Sequence, residues 1–580
     1  MKLKFGEILD RHRVRLARPD ALIHLALVGL ASGFLAGFVI VLFRLVVEGA
    51  QAAILPGGGP ENYESLEIWL RISLPSLGGL IIGWMFYRYG KGIQLLGVAR
   101  VLERMAYHQG YLTLRGFFLQ LFGAATAIVS GHSVGREGPH VFLGAAAGSI
   151  LGQYLELPNN SIRTLVGCGT AAAIAASFNT PLAGVIFALE VVMMEYSFAS
   201  FIPVMLAAAA ANTVSVAVIG GDPAFQVPEL SMGSLREIPL VLVLALFGGA
   251  FSALFVHLLQ RLAERVQVMP FWIRTTLAGV GVGLLGAMVP EVMGIGYDTV
   301  NHALLGQIGL NLLLVMLAFK LLATVISVGM GIPGGMIGPA LFLGAVLGSL
   351  FALVVNSMVP HLGVDVGFYA LLGMGAVMSA SLQAPLAALV AMMELTYSPQ
   401  IVMPGILVVV VAGLVASEVF KKESIFTTVL KTAGMKYDSS PLLQTLRGVG
   451  VAGVMDRRFV RVGQVLPLER AHEVLANEPR WLLVYGGQHP VALMPAVELV
   501  RYLQGVAKAD FNNEPIDLME IPGQRLQLAP VSLQANLQEA LECLENAACD
   551  ALYVERLTAP GVRRVYGILT RQSVESVYRY

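Results

Sequence analysis

The chain has 580 residues, of which 56% are hydrophobic and only 13% charged, with a mean hydropathy of +0.72. An average soluble domain carries about 25% charged residues, so this composition is that of a polytopic membrane protein. The formal net charge is zero, which excludes nucleic acid or another polyanion as an electrostatic partner. Three cysteines, Cys168, Cys543 and Cys549, are too few and too scattered for a disulfide framework.

Residues 1–20 form a charged N-terminal segment with Lys2, Lys4, Arg11, Arg13, Arg15 and Arg18, followed by a long apolar run without a cleavage site. Positive charge ahead of the first span predicts a cytoplasmic N-terminus. Apolar segments then cover about 21–47, 69–87, 116–130, 141–155, 165–194, 201–219, 238–262, 273–289, 312–328, 340–355, 368–380, 385–393 and 401–420. Several are shorter than the ~20 residues that cross a bilayer. Helices that stop partway are tolerated only where they line a cavity or lie inside protein.

Within this apolar background stands Gly135-Arg136-Glu137-Gly138-Pro139. In a soluble protein such a string is a surface turn. At membrane depth an ionisable residue points to a substrate or ion pathway. Gly135 and Gly138 allow close backbone approach and Pro139 suits a first helical turn, so the amides around Glu137 form an anion site at a helix N-terminus. Arg136 braces this loop or contacts the anion. His132 and His140 flank it as polar partners or as modifiers of its pH response.

An internal repeat follows. Pro139 to Ser149 recurs as Pro339 to Ser349, 200 residues later, each copy preceded by Gly-x-x-Gly. Ser177 to Glu190 recurs as Ser381 to Glu394, with Pro181 matching Pro385. Gly144, Gly148, Gly344 and Gly348 read as helix-packing positions. Two ordered blocks repeating in step predict two halves, about 21–220 and 234–433, with a site where they meet. Glu190 and Glu394, at matching positions, read as helix caps or cross-links. After Phe420 the character changes: 434–450 is a polar linker, and 451–506 and 519–580 read as soluble α/β segments with strands at 459–462, 481–485 and 551–555.

On these blocks, with Gly334-Gly-Met-Ile-Gly-Pro339, residues 21–433 resemble the CLC family of chloride channels and proton/anion exchangers, and the tail resembles paired CBS domains. The resemblance implies an all-α polytopic domain of two inverted halves, a cytosolic α/β CBS pair, and a homodimer with one pathway for an inorganic anion per subunit. It implies that Glu137 is the external gate. It places the anion-binding residues at Gly90, Lys91, Gly92, Ile93, Gly135, Arg136, Gly138, Gly335, Met336, Ile337 and Phe426. A multi-pass protein of a prokaryotic inner membrane, with N-terminus and tail in the cytoplasm, follows from the same likeness.

The chain departs from the family pattern in three places. Gly90-Lys-Gly-Ile-Gln94 stands for the usual Gly-Ser-Gly-Ile-Pro, Phe426 for the usual tyrosine, and Val191 for the internal proton-relay acid. Lys91 is then a countercharge to the anion or to Glu137, or it snorkels to the aqueous vestibule. Without an acid at 191 the route reads as a passive channel. The alternative is a proton-coupled exchanger with another proton route, for which Glu190 is the candidate. In the tail, Gly567-Ile-Leu-Thr-Arg-Gln-Ser573 has serine where nucleotide-binding CBS copies carry an acid, and the stretch Val491 to Glu498 lacks the threonine, so no adenine nucleotide and no other cofactor is expected. No His-Glu-x-x-His zinc motif or carboxylate cluster is present, which argues against a metalloprotease or a magnesium transporter and predicts no metal and no enzyme activity. A CBS-regulated membrane sensor is the competing class.

Overall fold

The structure, a computed structural model, describes residues 22–58, 60–93, 96–221, 225, 232–396, 399–435, 441–487, 489–506, 515–559 and 562–577. The expected N-terminal segment 1–20 and Gln94 lie outside the described residues, as do parts of the 434–450 linker. Two compact units emerge, one built on 25–155 with 162–438 and a second built on 439–580 with 156–161.

The first unit is helical, and its helices come in two runs of like order. The first run is α1 (Leu22–Ile54), α2 (Ile68–Tyr89), α3 (Gly97–Tyr107), α4 (Leu114–Val129), α5 (Glu137–Tyr154), α6 (Asn159–Phe178), α7 (Pro181–Phe187) and α8 (Phe198–Ile219). The second is α9 (Ile238–Val266), α10 (Phe271–Met288), α11 (Tyr297–Leu304), α12 (Leu310–Gly329), α13 (Ile337–Met358), α14 (Val366–Leu382), α15 (Pro385–Thr396) and α16 (Val402–Leu414). A final helix, α17 (Ile425–Thr432), follows. Among the described residues nine helices are long and apolar enough to cross a membrane, while α4, α7, α14 and α15 are shorter. The apolar run expected over 165–194 is two helices. Asn179 takes a left-handed φ of 58° and Pro181 opens the next helix, because proline cannot continue the preceding one.

Small residues set the packing. A Cβ on Gly144 would lie 2.2 Å from the Gly169 carbonyl oxygen, and one on Gly344 would lie 2.5 Å from that of Gly373. Gly148 and Gly348 meet the carbonyls of Leu165 and Tyr369 in the same way, at 2.2 and 2.0 Å. The pairs α5–α6 and α13–α14 therefore touch backbone to backbone, as helices do where lipid gives no hydrophobic drive to association. Both pairs are almost wholly buried, leaving α1, α2, α8, α9 and α10 to present apolar side chains outward.

The second unit holds two three-stranded sheets of one topology. Phe459–Gly463 runs parallel to Trp481–Gly486, which pairs antiparallel with His489–Pro495. Leu528–Ser532 runs parallel to Ala551–Ala559, which pairs antiparallel with Val562–Thr570. In each, an amphipathic helix, Leu468–Ala476 or Leu537–Asn546, crosses between the parallel strands. Leu483, Leu493, Tyr553 and Ile568 form an apolar cluster shared by the two sheets.

Candidate functional site

Four helices of the first unit begin around one small chamber. α3 starts at Gly97, whose φ of 67° turns the chain into the helix. α13 starts at Ile337, and α17 at Ile425, where the Ser424 hydroxyl accepts the Thr427 amide at 3.2 Å. α5 starts at Glu137 with Gly138 beside the chamber. The cavity, about 80 Å³, is lined by Leu96 to Ala99, Gly138, Gly331 to Ile337, Phe426, Val328 and Val429. Among the described residues that line it, none carries a hydroxyl or a charged side chain. A single water needs about 10–15 Å³ on the same measure, so a dehydrated small anion fits. First-turn amides have no intrahelical partner and carry the positive end of the helix dipole.

The two halves join at this point through one reciprocal pair. The Gly135 amide donates to the Gly335 carbonyl at 2.8 Å, and the Gly335 amide returns the bond to Gly135 at 2.7 Å. Side chains would forbid it: a Cβ on Gly335 would lie 2.5 Å from the Gly138 nitrogen, and one on Gly138 would lie 2.6 Å from the Gly335 Cα. The Gly-x-x-Gly spacing in both copies is thus a steric requirement of the crossing.

Glu137 is fully buried. Its Oε2 accepts the Gly338 amide at 3.0 Å, in the first turn of α13, and its Oε1 accepts the hydroxyl of Tyr297. The carboxylate lies over Gly135, where a Cβ would sit 2.2 Å from Oε2. It therefore occupies a first-turn amide, a donor of the kind that binds anions at helix N-termini.

The other expected site residues divide. Gly335, Met336, Ile337, Gly138 and Phe426 line the chamber, and the buried Phe426 ring stands edge-on to Phe187 at 6.5 Å. The Arg136 side chain turns away from the chamber, pairing with Glu48 at 3.2 Å and lying 5.1 Å over the Tyr297 ring. Gly90 to Ile93 do not line the chamber. Gly90 caps the end of α2, with its amide on Phe86 at 2.8 Å, and Lys91 and Gly92 form an exposed turn with φ of 44° and 86°. This glycine-rich string is a helix stop. The chamber is lined instead by Leu96 to Ala99, so the expected Lys91 countercharge is corrected: the residue before the helix-opening glycine is Leu96.

Glu190 and Glu394 cap each other's half. Glu190 accepts the amides of Leu386 and Ala387 at 3.1 and 2.7 Å, and Glu394 accepts those of Leu182 and Ala183 at 2.9 and 2.7 Å. Glu190 and Val191 also border a wide, open cavity of about 510 Å³ with Gln383, Lys421, Lys422, Ser424 and Thr427. Ser424 and Thr427, at the start of α17, line this cavity, whereas Phe426 of the same helix lines the chamber. Among the described residues no group of His, Cys, Asp and Glu could hold a metal ion.

Sequence reasoning missed three residues. Lys320 is fully buried in α12 and donates to the carbonyls of Val292, Gly294 and Ile295 at 3.2, 3.0 and 3.2 Å. Its counterpart 200 residues earlier, Gln120, accepts the Gly97 amide at 2.7 Å, so both positions tie the turn that leads into α3 or α11. Glu61 accepts the amides of Gly296 and Tyr297 at 3.2 and 3.1 Å, and Tyr297 reaches Glu137. A lone lysine inside an apolar run was the available signal for Lys320. Nothing local marked Tyr297.

The profile of the family described as Voltage gated chloride channel matches residues 78–417. A protein of Ralstonia nicotianae described as a ClcB-like chloride channel protein is 32% identical over 373 residues, covering 63% of this chain and 86% of its own. The H(+)/Cl(-) exchange transporter ClcA of Vibrio cholerae is 29% identical over 389 residues, covering 65% and 83%. The fold resembles a slow cyanobacterial Cl-/H+ antiporter, with TM-score 0.63 and 20% identity over 70% of this chain and 97% of that one. A eukaryotic CLC transporter, with TM-score 0.60 and 19% identity, covers 95% of this chain and 98% of its own, so that likeness reaches into the α/β tail. A profile match over more than half the length, centred on the helices that frame the chamber, places the chain in the voltage-gated chloride channel family.

Proposed function

We propose that the protein carries an inorganic anion, chloride or a related one, across a bilayer through a pathway in each subunit of a homodimer, and that Glu137 gates it. The observation behind this reading is the seat of the Glu137 carboxylate, 3.0 Å from the Gly338 amide beside an uncharged chamber. Ionised, the side chain competes with the anion for that amide. Protonated, it loses the attraction and leaves the seat open. The reciprocal bonds of Gly135 with Gly335, and of Glu190 and Glu394 with the opposite half, support inverted halves meeting at the pathway. Anion efflux from proteoliposomes tests the gate: Glu137→Gln raises efflux at neutral pH and removes its pH dependence, whereas a retained pH response counts against it.

A proton-coupled exchanger is the second reading, favoured by the likeness to the H(+)/Cl(-) exchange transporter of Vibrio cholerae and to the cyanobacterial Cl-/H+ antiporter. The passive route is preferred on two observations. Val191 carries no proton, and the cavity of about 20 Å³ next to Phe187 and Ile337 is lined by apolar side chains with Thr180 as its one hydroxyl. In the same proposal the tail is a CBS pair that stabilises the dimer without nucleotide, and both it and the N-terminus lie in the cytoplasm of a prokaryotic inner membrane.

A further inference from the structure

Glu137 is held at both carboxylate oxygens, one by the Gly338 amide and the other by a side-chain donor. That donor is the hydroxyl of Tyr297, the first residue of α11. Its mounting is over-determined. Glu61 binds the amides of Gly296 and Tyr297, Lys320 ties the carbonyls of Gly294 and Ile295 just ahead of them, and the Arg136 guanidinium covers the ring. Phe225 and Phe178 pack on the ring at 5.1 and 6.0 Å between centroids. A buried phenol fixed on every side has its hydroxyl aimed at one carboxylate oxygen.

We propose that Tyr297 is the latch of the gate: a positioning residue whose hydroxyl holds ionised Glu137 in the anion seat. This rests on the gating role proposed for Glu137. A hydroxyl bonds an ionised acceptor much more strongly than a neutral one, so the latch acts on the closed, charged state and releases on protonation. A contact made in one state and weakened in the other shifts the balance between them. The charged groups around the latch, Arg136, Glu61 and Lys320, each have partners of their own and keep the phenol still.

Chloride efflux from proteoliposomes at neutral pH, measured for Tyr297→Phe, Glu137→Gln and the double variant, tests the latch. Removing one hydrogen bond to a charged group raises the open population on the order of tenfold, so Tyr297→Phe drives efflux toward the Glu137→Gln rate. In the Glu137→Gln background the same change has no effect. Glu61→Gln, which loosens the mounting without touching the hydroxyl, raises efflux less and again only when Glu137 is present. Unchanged efflux in Tyr297→Phe overturns the latch, as does an equal change in both backgrounds, which marks a purely structural role. Should Tyr297→Phe not fold, the Glu61→Gln pair decides by the same criterion. If Glu137→Gln leaves efflux and its pH response as they were, the gating role itself fails. If Glu137→Gln behaves as a gate deletion while Tyr297→Phe is silent, only the latch falls.

Discussion

Lys91 and Leu96 lie five positions apart and differ in what they can do. Lys91 is exposed in the turn that ends α2, while Leu96 borders the chamber ahead of Gly97. Lys91→Met therefore leaves anion selectivity unchanged in a liposome flux assay. Leu96→Ser puts a hydroxyl where the chamber has backbone donors alone. One hydrogen bond of about 1 kcal/mol shifts the flux ratio about fivefold toward chloride over a bulky, weakly hydrated anion such as thiocyanate. An unchanged ratio shows that the hydroxyl does not reach the ion. At this scale Glu137 was legible because a charge in an apolar run is costly and conspicuous. Tyr297 was not, because a tyrosine opening a short helix is ordinary until folding brings it to a carboxylate 160 residues away. Lys91 was misplaced for a related reason: two glycines two apart serve a helix stop as well as an anion loop, and only the position of α3 separates these uses.

α7 and α15 each begin with proline, and each receives a carboxylate from the other half. Proline at the first position leaves the next amides without an intrahelical partner, and a charged cap there contributes about 0.5–2 kcal/mol. Because the two caps have matching geometry, Glu190→Gln and Glu394→Gln lower the thermal unfolding temperature of the purified protein by similar amounts, and both retain anion flux. Loss of flux in Glu190→Gln alone would show that Glu190 serves the pathway and not merely the helix. The caps also explain why two acids persist in otherwise apolar segments: each occupies amides that would otherwise be left unpaired. The sequence repeat foretold that these residues were equivalent. It could not say that each would cap its counterpart's helix, since a repeat carries no information on how its copies face each other.

For the molecule as a whole, the decisive quantity is whether anion flux moves protons. With valine at 191 beside the open cavity and an apolar lining near Phe187, the passive reading predicts that an inward chloride gradient drives no proton movement in proteoliposomes; stoichiometric proton transport would favour the exchanger and assign a proton route to other residues. Two repeated halves, broken apolar segments, a buried acid and an α/β tail were all determined by the sequence alone, because composition, period and repetition are local properties that survive without coordinates. Which helix ends converge was decided by tertiary structure. The chamber and the seat of the Glu137 carboxylate draw on Gly97, Glu137, Tyr297, Gly338 and Phe426, spread over more than half the chain, and close backbone packing at glycine crossings sets the distances among them.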